Sequence, residues 1–199
     1  MRITHRGVTV IGGVACSVMI FTSTATGAQA ASASNLAGET QLSGPAVAIS
    51  VTIPTGWHQL ADQRHTQLLQ MVYPETCTQG PQCAAALARL ISGQAASAQV
   101  EVSAAKQSLT TLPGIQGASV TGEGPTQIAG HNGYQLRFVY SHANAKYQAA
   151  LAAVETGPAA SGMVPTSLIF VTVSDRPEAP PVSVIDQIIG SAQVVDQQK

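Results

Sequence analysis

Charge is scarce in this chain. Asp, Glu, Lys and Arg make up 10% of its 199 residues, nine basic against ten acidic, for a formal net charge of −1. A nucleic-acid surface needs Lys and Arg clustered on one face, and none is present. Polybasic attachment to anionic lipid is excluded on the same ground. Aromatics are equally few, at 4%, and there are three cysteines. Absent too are the G-x-S-x-G elbow, the phosphate loop and the H-E-x-x-H helix. Asp62, Glu75 and Glu101 form no pair that sequence places together, and no serine stands in a turn signature with a candidate base. An enzyme needs positioned acid, base or nucleophile groups, so no catalytic residue and no cofactor site is assigned. Structural zinc wants four ligands. His58 and His65 lie seven apart across a loop, and His131 and His142 sit at two different turns, so no metal site is assigned either.

What is present begins at the N-terminus. A basic segment carrying Arg2 and Arg6 precedes an apolar run from Gly7 to Phe21, and a small, polar stretch ends Ala28-Gln29-Ala30. That order is a secretory signal. The run is about 15 residues, short of the roughly 20 that span a bilayer core. Cys16 lies inside it. Small residues should precede a lipid-bearing cysteine and a polar tether should follow, but Gly13-Val14-Ala15 fits only at Ala15, and Ser-Val-Met-Ile-Phe stays apolar. We expect cleavage after Ala30 and a released or loosely held extracytoplasmic protein; membrane anchorage requires lipid on Cys16. Removing Arg2 and Arg6 leaves seven basic residues against ten acidic.

The remaining cysteines, Cys77 and Cys83 in CTQGPQC, form an even pair in an oxidising compartment, which reads as a disulfide. Gly80-Pro81 supplies the turn between them. Residues 31–45 are small and polar without a hydrophobic period and read as a flexible linker. One domain then occupies 46–199. Alternation predicts strands at 48–53, 67–73, 134–140 and 147–154. Residues 84–91 read as a strand or a short helix, 93–109 as a helix, and 117–129 as extended. Gly130-His131-Asn132-Gly133 reads as a hairpin turn with N-G chemistry. The near-continuous apolar run 167–173 predicts a strand covered on both faces. Pro180-Pro181 opens a helix with a Val184, Ile185, Ile188, Ile189 stripe, and 192–195 closes the chain as a short strand. Strands joined by hairpins, with one helix inserted early and one late, make an α+β domain with an antiparallel sheet.

V-T-I-P-T-G-W near the domain start, I-A-G-H-N-G-Y-Q-L-R-F in the middle, and S-L-I-F-V-T-V-S before D-Q-I-I-G-S-A-Q-V together resemble the actinobacterial LpqN/LpqT type of exported lipoprotein over residues 46–197. The resemblance implies a PsbP-like α/β/α sandwich, with an antiparallel β-sheet flanked by helices. It also implies a cell-envelope location and no known reaction. Relatives commonly carry a lipobox, and Gly13 departs from that pattern, which puts anchorage in doubt rather than export.

The aromatics are the remaining lead. Tyr134, Phe138 and Tyr140 share parity on one strand and so share one sheet face. With Trp57 they are either core or the lining of an apolar groove for a lipid or peptide. The expectation is an exported, non-catalytic envelope protein that binds a partner protein or an apolar envelope ligand. A hydrolase-like enzyme with dispersed residues is the alternative.

Overall fold

The structure, a computed structural model, describes residues 34–36, 39–44, 47–60, 68–78, 83–111 and 114–195. The expected signal at 1–30 lies outside the described residues, as do Cys16 and His65.

In chain order the elements are β1 (Ser34–Leu36), β2 (Glu39–Gly44), β3 (Val47–Ile53), β4 (His58–Gln59), β5 (Leu68–Tyr73) and β6 (Ala86–Ala95). After these come α1 (Ala98–Thr111), β7 (Gln116–Ile128), β8 (His131–His142), β9 (Ala145–Glu155) and β10 (Val164–Ser174). The chain ends with α2 (Val184–Gly190) and β11 (Gln193–Val194). A seven-stranded antiparallel sheet runs β4-β5-β6-β10-β9-β8-β7, and a four-stranded one runs β1-β2-β3-β11. The architecture is α+β, an antiparallel sheet flanked by helices.

Period-2 alternation sorts the large sheet into two faces. One face carries Met71, Ala88, Leu90, Ala150, Ala152, Val154, Ile169 and Val171. It packs on Val47, Ile49, Val51 and Ile53 of β3 and on the buried stripe Val184, Ile185, Ile188, Ile189 of α2. The other face carries Leu136, Phe138, Ala149, Leu151, Ala153 and Leu168, covered by Ala98 and Val102 of α1. Since β9 and β10 are apolar on both faces, the sheet's centre must be enclosed from both sides.

Three departures from the sequence reading have local causes. Residues 39–44, expected within a flexible linker, form β2, which pairs with β3 and buries Leu42 to 2% exposure. One leucine among Gly, Ser and Thr leaves no readable period, yet pairing with an apolar strand satisfies the whole backbone ladder. The helix expected from 93 starts at Ala98, because Gly93, Gln94 and Ala95 pair with Thr166, Pro165 and Val164 of β10. The Ser97 hydroxyl accepts from the Val100 amide at 3.3 Å, and a Glu155 carboxylate oxygen accepts from the Ala98 amide at 3.1 Å; together they fix that start. The β7–β8 turn falls on Ala129 and Gly130, at φ 53 and 78, not on the N-G pair two residues on. Asn132 and Gly133 instead lie in β8. Gly133 is needed there for room, since a Cβ would stand 2.9 Å from the Ala153 carbonyl oxygen of β9.

Cys77 and Cys83 are joined as a disulfide, their Cα atoms 5.5 Å apart. Cys77 packs with Val72, Ala84 and Leu87 in a small cluster at the end of β5 and β6.

Ser191, just past α2, ties that helix to the smaller sheet. Its hydroxyl donates to the Ile188 carbonyl at 2.7 Å and accepts from the Thr52 amide at 2.8 Å. Ser191→Ala deprives a β3 backbone amide of its acceptor, and such an orphaned group costs about 1–3 kcal/mol. Urea unfolding of the variant is expected to show a loss in that range with an unchanged m-value.

Candidate functional site

The face under α1 is not fully covered. Alternation and register lay its side chains in rows that cross the strands. Gln70 of β5 stands opposite Arg89 of β6, then Phe170 of β10 and Leu151 of β9. A parallel row runs Val72, Leu87, Thr172, Ala149, Phe138. A third runs Leu68, Ile91, Leu168, Ala153, Tyr134. Over these rows opens a groove of about 510 Å³, floored by β6, β10 and β9 and walled by Ala105, Ser108 and Leu109 of α1 and by Ile115. That size lies within the roughly 300–1,000 Å³ usual for small-molecule sites.

Most of its lining is aliphatic or aromatic, and Arg89 is the one Asp, Glu, Lys or Arg among the lining residues. Arg89 Nε donates to Gln70 Oε1 at 2.6 Å, which fixes the side chain against the sheet. The Tyr140 and Thr172 hydroxyls lie 3.1 Å apart. Tyr140 stacks on Tyr147 at 5.0 Å and on Phe138 at 5.8 Å, and Phe138 stacks in turn on Phe170 at 6.4 Å. Burial raises the Tyr140 phenol above its ordinary range; the bond to Thr172 and the charge of Arg89 pull it partly back, while Tyr147 adds to the rise. The phenol therefore stays protonated near neutral pH and is available as a donor. His142 lines the groove's mouth, its Nδ1 3.1 Å from the Gly114 carbonyl oxygen.

Of the four aromatic residues singled out from sequence, Tyr140 lines this groove. Phe138 is buried and stacked on it, and Tyr134 packs against the same cluster. Trp57 belongs to the opposite core, tilted against Tyr73 at 5.8 Å, so it cannot share a groove with the others. It follows the Pro54-Thr55-Gly56 corner, where Gly56 has φ 85 and a Cβ would meet the Tyr73 ring at 2.9 Å. Sequence reading missed Arg89, Thr172 and Phe170. The signal for Arg89 was a lone cation inside the apolar stretch Ala86–Ile91.

The other sequence candidates do not converge. His58 is on β4, at one edge of the large sheet, and His131 opens β8 near the other. Among the described residues no three His, Cys, Asp or Glu side chains are grouped to hold a metal ion. Among the same residues, no helix is long and apolar enough to cross a membrane.

Set beside solved structures, the chain is similar to cyanobacterial PsbP (CyanoP) from Synechocystis sp. PCC 6803. The TM-score is 0.54 at 11% identity, over 84% of this chain and 98% of that one. The fold is PsbP-like. LpqN of Mycobacterium tuberculosis, described as involved in cell envelope biogenesis, is similar with a TM-score of 0.47 at 19% identity, over 74% of this chain and 83% of that one. A protein from Bacteroides thetaiotaomicron VPI-5482 matches with a TM-score of 0.45 at 12% identity; 79% of this chain is covered but only 48% of that one, so the chain spans about half its length. No protein-family model matches the chain, nor does any curated protein sequence. At such identities the likeness is one of fold.

Glu101, in the first turn of α1, faces the same sheet beside the groove. A Cβ on Gly93 would lie 3.0 Å from its Oε1 and 3.1 Å from the Thr166 hydroxyl, so the three groups meet at one point. Burial raises this carboxyl above its ordinary value of 4.5, and the Thr166 hydroxyl offsets part of the rise. A raised folded value means that the native state holds the proton more tightly than the unfolded chain, so stability falls as pH rises from 4.5 through the folded value. Glu101→Gln removes that dependence. Its melting temperature is expected to match the parent's near pH 4 and to exceed it at pH 7, as measured by scanning calorimetry across that range.

Proposed function

We propose that this chain is an exported, non-catalytic cell-envelope protein that holds an apolar ligand in the groove between α1 and the sheet. The observation that carries this reading is the groove itself: about 510 Å³, lined mainly by apolar residues on a rigid sheet. The signal-like N-terminus and the PsbP-like fold agree with it. The landmark stretches V-T-I-P-T-G-W and I-A-G-H-N-G-Y support placing the chain with the LpqN type of envelope proteins.

Native mass spectrometry of protein purified from the envelope tests the reading, with dodecan-1-ol added to the apo form as an apolar probe. A non-covalent adduct, or a rise in melting temperature with dodecan-1-ol, is expected. Ala105→Trp fills the wall and is expected to weaken probe binding at least about tenfold while the chain stays folded. A clean apo mass together with no thermal shift counts against the groove as a ligand site. The export half of the reading is tested separately by intact mass of the secreted protein. Cleavage after Ala30 is expected; a diacylglyceryl group on Cys16 would make the protein membrane-anchored instead.

A further inference from the structure

The groove is apolar but not uniformly so. Its floor carries Arg89 and, diagonally across from it on the next strand, Thr172, whose hydroxyl lies 3.1 Å from that of Tyr140. Ala149 stands between Thr172 and Phe138 in the row, and its small side chain leaves the space through which Tyr140 reaches Thr172. Beyond that cluster the floor becomes aliphatic, with Ile91, Leu168 and Leu151, and Leu109 of α1 closes over it.

A guanidinium beside a bonded pair of hydroxyls, one of which keeps its O–H for a third partner, is a donor set, and donors of this kind bind carboxylate or phosphate oxygens. An apolar run leading away from them suits an alkyl chain. We infer that the groove takes a single-chain amphiphile with an anionic head, its oxygens on Arg89, Tyr140 and Thr172 and its tail along Ile91, Leu151, Leu168 and Leu109. The inference rests on the groove being a ligand site and adds the chemistry of the ligand. A fatty-acid carboxylate and an alkyl phosphate share that chemistry. A neutral head of the same tail length forgoes the charge-assisted bonds.

Calorimetric titration of the folded protein with dodecanoate, dodecyl phosphate and dodecan-1-ol, each below its micellar concentration, separates these possibilities. At least one of the two anions is expected to bind about ten- to a hundredfold tighter than the alcohol, in line with hydrogen bonds to a charged group. Which anion leads distinguishes a carboxylate source from a phosphate source. The preference is expected to shrink in Arg89→Met, with the affinity for dodecan-1-ol little changed, and to be largely kept in Arg89→Lys. Tyr140→Phe reports on the same cluster without removing the charge, and should reduce the preference by a smaller factor. Equal affinities for alcohol and anions in the parent protein overturn the inference while leaving the groove as an apolar site. An anion preference that survives intact in Arg89→Met also overturns it. Failure of all three probes to bind sinks the ligand reading of the groove as well.

Discussion

The structure depends on covering the two faces of the large sheet at its centre. β9 reads Ala149-Ala150-Leu151-Ala152-Ala153-Val154, and each of these residues is buried, four of them completely. β10 beside it is buried almost as thoroughly. A strand of this kind cannot face water on either side without forfeiting the apolar burial that holds the fold together. The alanines set how closely each layer approaches. On one face Ala150 and Ala152 allow β3 and α2 to pack closely against the sheet, and on the other Ala149 and Ala153 accept α1 and the ring of Phe138.

The two faces are enclosed unequally, and geometry explains why. Seven strands spaced about 4.8 Å apart make a sheet about 29 Å wide. On the face of β3 and α2, a second sheet and a helix share the work. Ser191 fastens the helix to β3, and an exposed pair between Arg137 and Asp186 links it to β8. Such a surface pair contributes little energy and mainly restricts orientation. On the other face, among the described residues, one helix lies across the strands. Its 14 residues make a rod about 21 Å long, which packs on β6, β8 and β9 but is shorter than the sheet is wide. The helix buries Ala98 and Val102 in one cluster with Leu136, Leu151 and Leu168. The apolar rows of β6 and β10 extend past it, and the groove lies over them.

Strand and helix identity was legible wherever one face of an element was buried, because period then carries the information. The alternation of β3 and β8 and the stripe of α2 are of this kind. What could not be read depended on partners rather than period. β2 has one buried apolar residue, Leu42, and becomes a strand because β3 lies beside it. Gly93 to Ala95 looks helical by composition but is claimed by ten residue pairings between β6 and β10. The aromatic groove was half legible for the same reason. Parity placed Tyr134, Phe138 and Tyr140 on one face, but Trp57 is separated from them by the whole thickness of the sheet, and parity within one strand says nothing about a residue from another. Arg89 is the clearest loss. Its place opposite Phe170 follows from register, and register needs the partner strand.

The character of the groove's polar cluster bears on what it can do. General-base chemistry needs a group that accepts a proton near neutral pH. Arg89 holds its proton throughout, and Tyr140 is moved away from ionisation by burial. Thr172 is bonded to that phenol, and His142 has its Nδ1 turned to the Gly114 carbonyl. For that carbonyl to be bonded, Nδ1 must carry the proton, which leaves Nε2 of the neutral ring as an acceptor. The groove thus sets Arg89 and a pair of hydroxyls beside a long apolar surface, with the His142 imidazole also in its lining. A site of this composition can stabilise negative charge and retain a chain.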